Sequence, residues 1–217
     1  EENGNMQKIK EWYLPDSDVH FRAILERTGN YIEEHLVKAL EFVTDWENAI
    51  DVGAHIGLCS KILAEKFKTV WAFEPAPDTF ECLTKNMEGI DNAVLYQVAI
   101  GAETGTVRME DDISKPTRIG NTGARFVRDG GIIAMYPLDF FHVGKVGFIK
   151  IDVEGYELRV LEGARGTIEQ YRPVVMIEVG KSPEERYGLK GRAPVEFLES
   201  LGMREVLRVK PDWIFAW

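Results

Sequence analysis

Short apolar runs and helical periodicities alternate along this chain. Trp46 to Val52, Val70 to Phe73, Ala93 to Ile100, Val146 to Asp152 and Pro173 to Val179 are strand-length and largely apolar. Runs of that kind fit strands covered on both faces of a parallel sheet. Between them, Leu58, Ile62, Leu63 and Phe67 recur at helical spacing. Phe80, Leu83 and Met87 mark a helix over Asp78 to Glu88, and Leu158, Val160, Leu161, Ala164 and Ile168 mark another over Tyr156 to Gln170. Pro183 to Tyr187 reads as a helical turn and Pro194 to Leu201 as a helix. Met203 to Val209, a Lys210-Pro211-Asp212 turn and Trp213 to Trp217 form a hairpin signature. The alternation predicts an α/β fold, Rossmann-like, with a central parallel sheet and a terminal antiparallel hairpin.

Ahead of the first strand, residues 1–45 read as a helical lead. One helix is capped at Ser17 or Asp18 and runs through Glu26, a turn follows at Thr28-Gly29-Asn30, and a second helix covers Tyr31 to Val43. Tyr31 and Glu33 are lid candidates over the mouth of a ligand site. Residues 46–217 form one domain. Thr106 to Glu110 and Gly131 to Tyr136 are further strand candidates, and Pro137-Leu138-Asp139 starts a short helix. Asp111 to Asp129 has no clear period and carries Asn121-Thr122-Gly123 with Arg118, Arg125 and Arg128. So long an irregular segment is either functional or a solvated loop.

The stretch Ala49-Ile50-Asp51-Val52-Gly53-Ala54-His55-Ile56-Gly57 joins a strand end, a glycine turn and a helix start. In an open α/β sheet such a joint is where a nucleotide-like ligand lies. On this reading Gly53 lets backbone approach the ligand, and Gly57 lets the helix pack on the strand. A dinucleotide site wants Gly-x-Gly-x-x-Gly, with pyrophosphate on the helix N-terminus. Here the spacing is Asp-x-Gly-x-x-x-Gly. An acid just before the first glycine repels pyrophosphate and suits an amine or sulfonium, which points to S-adenosylmethionine rather than NAD. Glu74, ending the next strand ahead of Pro75, stands where a carboxylate takes both ribose hydroxyls. Ala99, ending the third, leaves room for a flat adenine ring.

Lys150-Ile151-Asp152-Val153-Glu154-Gly155 closes a central strand, with Phe148, Lys150 and Asp152 on one face. A lysine inside a covered strand needs a counter-charge, and Asp152, Glu154, Glu178 and Asp139 are the options. The cluster is either catalytic or a structural ion-pair network. If catalytic, Asp152 and Glu154 are the candidate bases for an alcohol acceptor, with His55 and His142 as rivals. Carboxylates at strand ends can hold Mg²⁺ or Ca²⁺, but no ligand spacing here demands a metal.

Of the 217 residues, 45% are hydrophobic and 29% charged, enough for one ordinary core, and the net charge of −10 argues against a nucleic-acid partner. Cys59 and Cys82 fall in predicted helices and read as free thiols. With no membrane-length apolar run and no signal peptide pattern, the expectation is a cytoplasmic protein. Trp213, Phe215 and Trp217 either stack on a sugar or form the core and rim of a last strand.

The chain resembles the FkbM family of S-adenosylmethionine-dependent methyltransferases. The likeness rests on Ala49 to Gly57, Val70 to Pro75, Val98-Ala99-Ile100-Gly101, Leu138-Asp139, Val146 to Glu157, Leu161-Glu162-Gly163-Ala164 and Ile177-Glu178. It implies the seven-stranded class I methyltransferase fold and O-methylation of a hydroxyl, often on a sugar or natural product. Asp51, Gly53, Ala54, His55, Gly57, Glu74, Pro75 and Ala99 would bind cofactor. Asp152 and Glu154, with Lys150 positioning, would serve the acceptor. The family commonly carries asparagine where this chain has His55. The competing readings are a nicotinamide-dependent oxidoreductase, a non-catalytic scaffold that keeps the cofactor fold, and, more remotely, a DNA amine methyltransferase.

Overall fold

The computed structural model describes residues 6–28, 34–114, 116–180 and 186–217. Tyr31 and Glu33, and most of the helical turn expected at Pro183 to Tyr187, lie outside the described residues. In chain order the strands are β1 (Met6–Ile9), β2 (Trp12–Pro15), β3 (Asn48–Val52), β4 (Thr69–Phe73), β5 (Ala93–Tyr96), β6 (Ala99–Ile100), β7 (Gly105–Glu110), β8 (Phe126–Asp129), β9 (Ile133–Tyr136), β10 (Val146–Ile151), β11 (Val174–Glu178), β12 (Arg204–Val209) and β13 (Asp212–Ala216). The helices are α1 (His20–Thr28), α2 (Glu34–Leu40), α3 (Leu58–Ala64), α4 (Pro77–Asn86), α5 (Glu157–Gly163), α6 (Arg165–Tyr171) and α7 (Ala193–Ser200).

Seven strands form the main sheet in the order β12-β13-β11-β10-β3-β4-β5. The five from β11 to β5 pair in parallel, and β13 and β12 add the antiparallel hairpin at one edge. This is the Rossmann-like α/β architecture that the apolar runs imply. Strand alternation sends Ile50, Val52, Ile149, Ile151, Val175 and Ile177 to one face, under Val160, Leu161 and Ile168 of α5 and α6 and Val195 and Leu198 of α7. Ala49, Phe148, Val174 and Met176 go to the other, under Leu36 and Ala39 of α2 and Cys59 and Leu63 of α3. Trp213 and Phe215 are buried in the first of these cores rather than forming a sugar platform. Both cysteines are buried free thiols.

Three expectations change. The N-terminal lead is not helical at its start: β1 and β2 form a hairpin before α1. The run Ala93 to Ile100 divides after Tyr96. Its first half is the edge strand β5, and Ala99–Ile100 leaves to join a second sheet of order β6-β9-β7-β8. The helix expected over Tyr156 to Gln170 breaks at Ala164 (φ −108°, ψ 3°) into α5 and α6. Asp139 accepts from Gly166 N, Thr167 N and Thr167 Oγ1 at the start of α6, so this carboxylate caps a helix and is not the counter-charge for Lys150.

Candidate active site

The glycine turn after β3 is built by backbone before any ligand is considered. Gly53 has φ +81°, and a Cβ there would lie 1.9 Å from the carbonyl oxygen of Asp152. The missing Cβ therefore makes room for the end of β10, while Gly53 itself also lines the cleft described below. Gly57, at φ +93°, caps α3, and its missing Cβ makes room for Leu83 of α4 rather than for the strand. Between them His55 also takes a left-handed conformation, φ +51°. Asn, Asp and His are the non-glycine residues most at home there.

Glu74 follows β4 and locks this turn. One carboxylate oxygen accepts from Ala76 N and Thr79 Oγ1, each at 2.9 Å. The other accepts from His55 N at 2.9 Å. A carboxylate has about four acceptor positions, so one remains for a ligand hydroxyl. Burial pushes the Glu74 pKa up, against the pull of these hydrogen bonds and of Arg125. Gly53, His55, Glu74, Pro75, Asp152 and Val153 line one wall of a cleft. The irregular segment after β7 supplies the other wall, through Thr122, Gly123, Arg125, Phe126 and Val127 with Met109. The segment the sequence left open between function and solvent thus covers the site.

Asp51 lies deeper. It is buried on the α2/α3 face, where Ser60 Oγ donates to it at 2.6 Å, and it sits in register beside Lys150. Ala54 packs with Ala72, Leu83 and Met87. Ala99 packs with Val107, Val127 and Met135 in the second sheet. None of these three side chains is part of the cleft wall. His142 is exposed at the end of a 3-10 turn, Leu138–Phe141.

At the mouth of β10 the acids divide their work. Lys150 Nζ donates to Asp152 Oδ2 at 3.2 Å. Burial opposes ionisation of Asp152, but Lys150 and a hydrogen bond from Glu178 win and hold its pKa below the usual carboxylate value. Glu178, desolvated and beside Asp152 and Glu154, is pushed up to about 9 and keeps its proton at neutral pH. Glu154 adopts φ +54°. Its Oε2 accepts from Arg118 at 3.1 Å and Arg186 at 3.2 Å, and Arg186 also donates to its carbonyl. Both arginines reach on to Asp112, at 2.9 and 2.5 Å. Asp152, Glu154 and Glu178 present oxygens within 4.8 Å of one another. Asp152 alone of the three lines the cleft.

Sequence reasoning did not place Asp18, Asp112 or Arg186 at the site. Asp18 was visible only as a helix cap, and its Oδ1 does accept from Phe21 N at 2.8 Å. Its Oδ2 meets Thr122 of the cleft wall, accepting from both N (3.2 Å) and Oγ1. Thr122 Oγ1 in turn lies 2.7 Å from His55 Nε2. Phe21 packs on the His55 ring, centroids 4.9 Å apart.

The Methyltransferase FkbM domain matches residues 51–205. Among curated proteins, the hexuronic acid methyltransferase AglP of Haloferax volcanii is 30% identical over 143 residues, covering 62% of this chain and 57% of that protein. Methyltransferase 1 of Beauveria bassiana is 25% identical over 191 residues, covering 76% and 74%. The chain therefore spans little more than half the length of the first of these relatives. Among solved structures, methyltransferase FkbM from Methylobacillus flagellatus covers 79% of this chain and 43% of its own, at 19% identity and TM-score 0.50. Precorrin 8w decarboxylase from Methanobacterium thermoautotrophicum covers 98% and 100%, at 12% identity and TM-score 0.52. Both share the fold. With its family domain reaching across most of the sequence, this chain belongs to the FkbM methyltransferase family.

Proposed function

We propose that this protein is an S-adenosylmethionine-dependent O-methyltransferase acting on a hydroxyl of a sugar, with an acidic sugar such as a hexuronic acid as the first acceptor to try. One observation carries this reading. Glu74 and Asp152, from the carboxyl ends of β4 and β10, face one cleft across the glycine turn. The open acceptor position on Glu74 suits a ribose hydroxyl, and the ionised Asp152 suits a site that receives a sulfonium cation. When bound, the cofactor supplies an electrophilic methyl group, so the work left to the protein is placement of the acceptor oxygen and removal of its proton.

The residues divide accordingly. Gly53, His55, Glu74 and Pro75 hold the cofactor side, with Asp51, Ala54, Gly57 and Ala99 shaping the turn and core behind them. Asp152, anchored by Lys150, orients the acceptor hydroxyl. Glu154, tied to Arg118 and Arg186, fixes the loop that covers it. The sugar class is supported by the likeness to the Haloferax hexuronic acid methyltransferase. Arg125 on the cleft wall is already paired with Asp78 and Asp111, so it adds nothing to that choice. The net charge of −10 disfavours nucleic acid. No helix among the described residues is long and apolar enough to cross a membrane.

Calorimetric titration with S-adenosylmethionine, S-adenosylhomocysteine and NAD tests the cofactor. Mass spectrometry of glucuronic acid, galacturonic acid and neutral sugars after incubation with S-adenosylmethionine tests the acceptor. Binding of the first two ligands with a gain of one methyl group on a uronic acid supports the reading. NAD binding without either of the others overturns it.

A further inference from the structure

Three residues far apart in sequence meet at the cleft in one hydrogen-bonded chain. Asp18, from the N-terminal lead, has 0% exposure and comes within hydrogen-bond reach of Thr122 N and Thr122 Oγ1. Thr122, from the covering segment, is buried and lies against His55 Nε2. Proton counting orders the chain. Asp18 accepts from Phe21 N, Thr122 N and the Thr122 hydroxyl, and a threonine hydroxyl has a single proton to give. Thr122 spends that proton on Asp18, so toward His55 it can only accept. The hydrogen between Thr122 and His55 then belongs to the imidazole, on Nε2. Nδ1 is left with its lone pair. Among the described residues it makes no hydrogen bond, and His55 lines the cleft.

We propose that Asp18 and Thr122 are positioning residues that fix His55 as its Nε2–H tautomer and leave Nδ1 as the catalytic acceptor for the proton of the hydroxyl being methylated. This rests on the methyl-transfer reading above. The proton balance is simple. As the acceptor oxygen gains the methyl group it loses its hydrogen to Nδ1, and the electron pair of the broken S–CH₃ bond stays on sulfur. The imidazolium so formed has the carboxylate of Asp18 3.8 Å from Nε2. Burial holds the His55 pKa down at about 4, so the ring is neutral and ready to accept at neutral pH. A weak base suffices, because an alcohol oxygen becomes strongly acidic as it takes on a methyl group. The carboxylates are worse placed for the task. Asp152 already meets Lys150 and the proton of Glu178, and Glu154 is held by two arginines.

The tautomer is measured first, in the cofactor-free protein, by ¹⁵N NMR of labelled histidine, with His55 assigned by the loss of its signals in H55N. A proton fixed on Nε2 is expected. A proton on Nδ1, or averaging between the two tautomers, overturns the proposal whatever the enzyme's activity. T122V removes the hydroxyl at nearly constant shape. It is expected to release the tautomer and lower kcat about tenfold, with S-adenosylhomocysteine affinity kept, while T122S recovers both. H55N keeps a residue type suited to the left-handed backbone and is expected to lose about a hundredfold in kcat. An H55N or T122V enzyme that turns over within threefold of the parent overturns the catalytic role. A parent protein that neither binds S-adenosylhomocysteine nor transfers methyl refutes the underlying function and the role of Nδ1 with it. The NMR result then still decides, independently of activity, whether the Asp18–Thr122 chain fixes the tautomer.

Discussion

Replacing Glu74 by glutamine tests whether the end of β4 holds a ribose. The side chains are nearly the same size, so the change is one of charge and hydrogen-bond sense. In the parent, three donors converge on the carboxylate: Ala76 N and Thr79 Oγ1 on one oxygen and His55 N on the other. The glutamine carbonyl can serve the first pair. Its NH₂ then faces His55 N at the 2.9 Å position where a carboxylate oxygen stood. Two donors cannot satisfy each other, and an unmet buried donor costs about 1–3 kcal/mol. The opposite rotamer is worse, since it sets the NH₂ against Ala76 N. Stability to urea should therefore fall by about 1–3 kcal/mol. On the ligand side, a hydroxyl donating to a carboxylate is worth about 1.5–3 kcal/mol, or about 10- to 150-fold in affinity. Calorimetry with S-adenosylhomocysteine reads that loss, and an unfolding curve on the same preparation shows that the protein is folded. A folded E74Q protein that binds within threefold of the parent would refute Glu74 as a cofactor ligand, and Glu74 would then be only the lock of the glycine turn.

The other consequences follow from the same geometry. G53A places a methyl group 1.9 Å from the Asp152 carbonyl at φ +81°, so it should lose about 2–5 kcal/mol in denaturant unfolding, from left-handed strain and overpacking together; a loss under 1 kcal/mol would mean the turn is far softer than this contact implies. D152N keeps the shape of the hydroxyl-orienting group but not its charge. It should lower kcat about 10- to 150-fold, with S-adenosylhomocysteine affinity changed far less, and an unchanged kcat removes Asp152 from the acceptor site. Glu178 keeps its proton to about pH 9 when folded and to 4.5 at its unperturbed value. The folded protein therefore binds the extra proton in that window, and stability contributed by this group declines as pH rises through it. Thermal melts from pH 5.5 to 9 should show the decline. E178Q, which still donates to Asp152, should flatten it, and a mutant slope equal to the parent's would contradict the assignment.

The parts of this molecule that could be read from the sequence are those whose signal is local. The main-sheet strands announce themselves because a parallel strand covered on both faces must be almost wholly apolar, as in Val146–Ile151, where every residue is buried. The acids Glu74 and Asp152 stand out because each ends such a run. The N-terminal hairpin gave no such warning. Its turn uses Lys10 at φ +56°, with no glycine or asparagine to mark it. The division of Ala93 to Ile100 between two sheets was also invisible, since an apolar run carries no label for the sheet it joins. At the site the same limit applies. Asp18 and Thr122 are 104 positions apart, and Arg186 is 74 from Asp112. An aspartate at a helix start and a threonine in a polar loop look ordinary until the fold brings them together.

His55 shows why such partners matter more than the residue type alone. A backbone at φ +51° favours asparagine and histidine alike, so the turn by itself accounts for either residue at this position. What it does not account for is a second, covering segment that sets a buried threonine oxygen to accept from one ring nitrogen. Asparagine would keep the turn, but its amide has no ring nitrogen lone pair to take up a proton. The backbone thus explains which residues are allowed, and the Asp18–Thr122 chain supplies a reason for histidine. The two causes separate in one comparison. H55N should lower turnover far more than unfolding stability or cofactor affinity, because the turn and its backbone N–H to Glu74 are kept and the proton acceptor is lost. If stability falls instead and turnover per folded molecule stays the same, the hydrogen bond to Thr122 serves to close the segment over the cleft, and the chemistry passes to Asp152.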